Sequence, residues 1–248
     1  MRYLTLMIIP LTIFSQSGLE IADMIDKRPS PTDLTNKTEM ILKNSKGKTR
    51  THGMISKSMD GNRKQIIWFM EPKDDRGISF LKIEHDDKDD EMRMWLPAFK
   101  RVRRISAKKR GDSFMGSDLS YEDLSSRELE KNDYKRLDDA QWLGKECYVL
   151  ETIPKKEARS SYDRHVSWID KDNMTILKER SFNRSGTLEK EKEFYYETRG
   201  KYQLLKRVYV KDILDDHSTE VIFSDMVTDV GMNDNLFHEK NLRRLPMD

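Results

Sequence analysis

Five histidines, one cysteine and 44 carboxylates are the side chains from which a catalytic or metal site could be built. His52, His85, His165, His217 and His238 include no pair at the spacing that puts two ligands on one helical face. The sequence has no H-E-x-x-H, C-x-x-C or G-x-S-x-G pattern, no phosphate-binding glycine loop and no dinucleotide fingerprint. The acidic run Asp86, Asp87, Asp89, Asp90 and Glu91 lacks the central glycine and terminal glutamate spacing of a calcium loop, and reads as a solvated hairpin tip. The chain is therefore read as non-enzymatic, with no catalytic residue, metal or cofactor assigned.

The chemistry that remains is charge recognition and apolar burial, concentrated between Lys100 and Leu124. The stretch opens with Lys100, Arg101, Arg103, Arg104, Lys108, Lys109 and Arg110, and ends acidic at Asp118, Glu122 and Asp123. Gly111 and Gly116 lie between, where backbone can turn through positive φ or approach another chain closely. Two readings of the arginines stand together. Arg103 and Arg104 could tie back to Asp118 or Asp123 and fix the loop. The same cations, with the run Lys108 to Arg110, could instead meet lipid phosphates or a membrane surface. Ser117 or Ser120 can cap a following helical turn. Tyr121 suits an anchor for the loop, because its hydroxyl can find a partner. Phe114 and Met115, beside Gly116, suit an apolar lip at a cavity mouth.

These residues need a frame. The segments from Glu39–Asn44 to Thr219–Val230 alternate or run apolar as eleven to thirteen strands, and Gly, Pro, Asn and Asp punctuate them. No helices alternate with them, so an antiparallel sheet is expected. Leu19–Arg28 reads as one amphipathic helix, ended by Pro29 and Pro31. Met92, Met94 and Leu96 alternate with Arg93 and Trp95, whereas Ile66 to Met70 is apolar on both faces and needs cover on both. Trp68, Phe69, Phe80, Met92 and Met94 are the candidate cavity residues, in a chain whose fourteen methionines offer a soft lining. The net charge of +2 argues against general nucleic-acid binding. Residues 1–17 read as a signal peptide with Ser15-Gln16-Ser17 at the cut, leaving 18–248 as one domain. No second apolar stretch approaches membrane-spanning length. Cys147, within an apolar run, reads as a small buried hydrophobe.

The runs R-V-R-R-I-S (101–106) and S-F-M-G-S-D-L-S-Y-E-D-L (113–124) resemble the signature of the LolA-like outer-membrane lipoprotein-sorting proteins, with which a treponemal lipoprotein group belongs. Trp68-Phe69 with Pro72 and Gly77, Trp95-Leu96-Pro97 and Cys147 to Leu150 extend the resemblance over roughly Leu19 to Leu245. It implies a mainly β fold: a single antiparallel half-open barrel with an N-terminal helix and a loop or helix lid. It also implies a periplasmic carrier that holds lipid or lipoprotein acyl chains and delivers them toward the outer membrane, with an inner-membrane transporter as a possible partner. The alternative is a non-catalytic interaction or sensor module that partners a membrane lipid transporter.

Overall fold

The computed structural model describes residues 16–246. Apart from Gln16 and Ser17, the expected signal peptide lies outside the described residues. The one α-helix among the described residues, α1 (Gly18–Asp26), starts in a reciprocal cap. The Glu20 N–H donates to Ser17 Oγ at 3.2 Å, and the Ser17 N–H donates to Glu20 Oε2 at 2.7 Å. Its buried face, Ile21 and Ala22, packs with Leu150 and Ile169 on the inner surface of the sheet. Gly18 is required there, since a Cβ would come within 2.8 Å of the Tyr134 carbonyl.

Thirteen antiparallel strands form one open sheet. The first meander is β1 (Asp33–Lys43), β2 (Thr49–Met59), β3 (Lys64–Glu71), β4 (Ser79–Ile83), β5 (Glu91–Leu96) and β6 (Arg101–Arg104). The second is β7 (Asn132–Trp142), β8 (Lys145–Pro154), β9 (Tyr162–Asp170), β10 (Ile176–Asn183), β11 (Leu188–Arg199), β12 (Tyr202–Asp212) and β13 (His217–Thr228). They join at one seam, β1 against β13, so the spatial order runs β6 to β1, then β13 down to β7. Ladder irregularities at Thr35/Lys37, Gly53/Met54, Leu137/Ala140 and Tyr195/Tyr196 add the local twist that curls an open sheet. The sheet does not close into a barrel, as expected of a half-open one. β1 begins earlier than its sequence pattern suggests, because polar Asp33, Asn36 and Thr38 are buried in its first half.

The doubly apolar run in β3 is covered on both sides. Ile67 and Phe69 face inward, while Ile66 and Trp68 face outward with Leu81. The outer cover is the C-terminal segment, which lays Phe237 and Leu242 over them through two short 3₁₀ turns, Asp234–Leu236 and Glu239–Arg243. Ser79 Oγ donates to the Leu242 carbonyl at 2.6 Å, and Glu239 pairs with Arg93. Trp68 is thus no cavity residue. The side-chain period of a strand is two, and an all-apolar run gives no phase by which to choose between Trp68 and Phe69.

β6 and β7 are the two free edges of the sheet. Residues 105–131 connect them, and so must cross from one edge of the half-barrel to the other. This strap contains the 3₁₀ turns Ala107–Lys109, Glu122–Leu124 and Leu129–Lys131 but no α-helix, so the lid expected from sequence is a coil.

Candidate functional site

The concave face has two chemically different halves, and the strap is fastened to both. The first half is apolar. Phe69, Phe80, Met92 and Met94 are each at most 5% exposed, and they form one cluster with Met40, Met54, Val208, Val210 and Val221. The strap lays Phe114 and Tyr121 on it. Phe114 sits 5.3 Å from Phe80, 6.0 Å from Phe69 and 5.7 Å from Tyr121, ring centre to ring centre. Tyr121 is 8% exposed and packs its ring on Phe80 and Phe114. Phe114 is no lip: it is 2% exposed and plugs the apolar face.

A tight turn delivers Phe114. Its N–H donates to the Leu119 carbonyl at 2.7 Å, and Ser113 bridges Ser120. The chain reverses through Met115 at φ +53° and Gly116 at φ +78°. Ser117 closes the turn, its hydroxyl donating to the Phe114 carbonyl at 2.7 Å. Neither Ser117 nor Ser120 is the cap of the next 3₁₀ turn, whose N-cap is Tyr121; Ser120 sits just ahead of it and accepts from the Asp123 N–H at 3.2 Å.

The second half, on β9, β10 and β11, is charged. Asp123 pairs with Lys192, lies 3.7 Å from Lys190, and accepts the Tyr162 hydroxyl at 2.9 Å and the Ser120 N–H at 2.8 Å. Lys192 also reaches Glu179 at 3.2 Å. Arg127, four residues beyond Asp123 along the strap, grips Glu179 with both terminal nitrogens at 2.5 and 2.8 Å. Ser167 donates to the same carboxylate at 3.1 Å. The side chains of Asp123, Glu179 and Lys192 are each 3% exposed. Burial alone would raise both carboxyls, but the lysines beside Asp123, and Arg127 and Lys192 beside Glu179, hold both below the usual carboxylate range. Burial would likewise lower Lys192, yet Asp123 and Glu179 keep its ammonium above its ordinary value. Burial and then Arg127 push the neighbouring His165 well below the ordinary imidazole range.

The expected tie between the arginines and the strap carboxylates is absent. Arg103 and Arg104 lie exposed on β6. Asp123 takes lysines from β11 instead, and Asp118 exchanges hydrogen bonds with Thr219 of β13, at 2.6 and 2.9 Å. The reason is topological: the strap leaves the β6 edge at once, and its carboxylates land on the far half of the sheet. An Arg104→Ala change is accordingly expected to alter stability by no more than about 0.5 kcal/mol in a denaturant melt. Sequence reading missed Lys190, Lys192, Glu179 and Arg127. Their only local trace is the alternation Lys190-Glu191-Lys192-Glu193, which puts both lysines on one face of a strand.

Beside α1 an open crevice of about 1110 Å³ lies over the charged half. It is walled by Ile25, Tyr134 and Leu150 and floored by His165, Glu179 and Lys192. Of the five predicted cavity residues, Met92 alone borders it, because the strap fills the apolar half. No cluster of metal-ligating side chains occurs among the described residues, and none of their helices is long and apolar enough to cross a membrane.

A family model described as an uncharacterized protein matches residues 61–244. No curated protein matches the chain. Among solved structures, a domain of Vibrio parahaemolyticus designated an outer membrane lipoprotein-sorting protein is 35% identical, over 92% of this chain and 98% of that one, with a TM-score of 0.86. A DUF1329 family protein of Desulfovibrio piger is 29% identical, over 91% and 97%, also at 0.86. A LolA superfamily protein of Nitrosomonas europaea, 16% identical over 92% and 100% with a TM-score of 0.73, shares the fold. At 35% identity over nearly the whole of both chains, this chain belongs to the family of the outer membrane lipoprotein-sorting domain, and it shares its fold with the LolA superfamily protein.

Proposed function

We propose that this protein is a periplasmic carrier that holds acyl chains of a lipid or lipoprotein on the apolar half of its concave face and delivers them toward the outer membrane. One observation carries the reading: that face is covered by the tip of a coil, not by a packed helix or strand. Phe114 occupies the place an acyl chain would take. The designation of the Vibrio structure as a lipoprotein-sorting domain supports the same ligand class. No covalent step is involved.

The magnitudes allow exchange. Burying Phe114 contributes about 3 kcal/mol at most. Roughly ten methylenes of an acyl chain contribute about 8 kcal/mol. A chain can therefore displace the tip while Asp123 and Arg127 hold the rest of the strap. Release needs an acceptor that offers an equally apolar site.

The test is a fluorescent acyl probe. Phe69→Asp, Phe80→Asp and Met94→Asp should each abolish binding with the β-sheet circular dichroism retained. Trp68→Asp, on the outer face, should leave binding intact even if it lowers the melting temperature. Equal probe binding across all four would remove the apolar half as the site. Gly116 sharpens the test. Stiffening a hinge with Gly116→Val would slow ligand entry, but at φ +78° valine strains the plugged turn itself. Entry measured by stopped flow should therefore be faster than in the parent protein, and slower entry would show that the tip does not gate the face.

A further inference from the structure

The upper end of the first meander carries three turns: β1–β2, β3–β4 and β5–β6. Strand direction puts them on one rim, and contacts make them contiguous. Arg50 at the β1–β2 end binds Asp75 of the β3–β4 loop at 2.6 Å. A Cβ on Gly77 of that loop would lie 3.4 Å from Pro97 of the β5–β6 turn. Residues 43–50, 71–78 and 97–103 hold nine cationic and three acidic side chains, a net +6 in a chain whose total is +2. Lys46, Lys48, Lys100, Arg101 and Arg103 are exposed and make no ion pair among the described residues. At the apex stands Phe99, 67% exposed, with the Arg101 guanidinium 5.6 Å from its ring centre. The adjacent β12–β13 turn adds Leu214 at 55% exposed, with Asp215 exposed beside it and Asp216 paired with Lys211. Gly116, at the tip of the strap, approaches Leu42 at this same end.

We infer that this rim docks the protein on an anionic lipid bilayer, with Phe99 entering the headgroup layer and the surrounding cations over lipid phosphates. An exposed aromatic ringed by uncompensated lysine and arginine is the chemistry of an interfacial anchor: the ring supplies apolar burial and the cations supply attraction to anionic headgroups. A soluble acidic protein or polymer would use the cations and have no use for the ring. The inference does not depend on what fills the concave face, and its test involves no transfer of ligand.

The experiment is co-sedimentation of the whole protein with vesicles. One set is phosphatidylglycerol mixed equally with phosphatidylcholine; the other is phosphatidylcholine alone. Binding to the anionic set should be at least about ten-fold tighter and should weaken at high salt. Changing Lys46, Lys48 and Lys100 together to glutamine should lower it by on the order of a hundred-fold, at about five-fold per cation. The charge-matched control, Lys135, Lys201 and Lys206 to glutamine, should lower it far less. Phe99→Ser should weaken vesicle binding and leave binding to soluble polyglutamate unchanged. Equal losses from the two lysine sets, no preference for anionic vesicles, or an unaffected Phe99→Ser variant would each overturn the proposal.

Discussion

Replacing Lys192 by methionine is expected to cost about 3–5 kcal/mol of folding stability, because it leaves two carboxylates buried with their shared cation gone. Asp123 and Glu179 are both on the inner face, each 3% exposed, and Lys192 bridges them. Lys190 and Arg127 remain, but each serves only one of the pair. The pH dependence separates this cause from simple loss of packing. Both carboxyls have depressed folded-state values against ordinary ones of 3.8 and 4.5. Their stabilisation is therefore complete above about pH 5 and is lost as pH falls through the folded-state values. His165 acts earlier. Its folded value lies well below 6.5, so its contribution begins to fade as pH drops below that point. The parent should thus weaken in two stages on acidification. In the Lys192→Met variant the carboxyls gain less from ionising, since only Lys190 and Arg127 remain beside them, and the second stage should shrink. Denaturant melts between pH 3 and pH 8 measure both; parallel curves for the two proteins would show that Lys192 is not what holds these carboxylates ionised.

The second large effect is expected at Phe114, in opposite directions for stability and binding. Truncation to alanine removes a ring that is 2% exposed and packed on Phe69, Phe80 and Tyr121, which should cost about 3–5 kcal/mol. If Phe114 occupies the acyl site, the same change spares the ligand the work of displacing it. Affinity for an acyl probe should then rise by at least about ten-fold, since about 1.4 kcal/mol of that displacement is a factor of ten. A merely structural Phe114 would lower affinity along with stability. Isothermal titration of the probe below the melting temperature of both proteins distinguishes these outcomes.

The sheet was readable because its signals are local. Alternation and turn residues locate the strands, although β1 begins six residues before the Glu39–Asn44 segment read from the sequence. The resemblance carried by residues 101–124 supplied the half-barrel and the lid. What stayed hidden depends on contacts across the sheet. Asp123 and Lys192 are 69 positions apart, and nothing near either shows that the strap lands on β11. A lysine in a strand reads as solvent-facing; Lys192 is buried only because the strap roofs it. The face of Trp68 stayed hidden for a different reason: in a run apolar on both sides, register decides and composition says nothing.

The route of the chain has a consequence for assembly. Each meander pairs only with its sequence neighbours, apart from the seam where Met40 faces Val221 and Leu42 faces Thr219. The two meanders can thus be formed from local contacts, the fast kind, leaving one long-range event to complete the sheet. The strap is the sole covalent link between them, and it is also a non-covalent clasp. Cutting it near Lys108 would give two fragments, each a self-contained run of hairpins, with Asp118, Asp123 and Arg127 left on the second. Residues 105–107 would stay with the first. Mixed in solution, the fragments should reassociate along the β1–β13 seam, and Phe114 would then staple one fragment to the other by filling the inner face of its partner. A protein of this design is a natural candidate for splitting into two complementing halves, with the break placed where the two edges of the sheet are bridged.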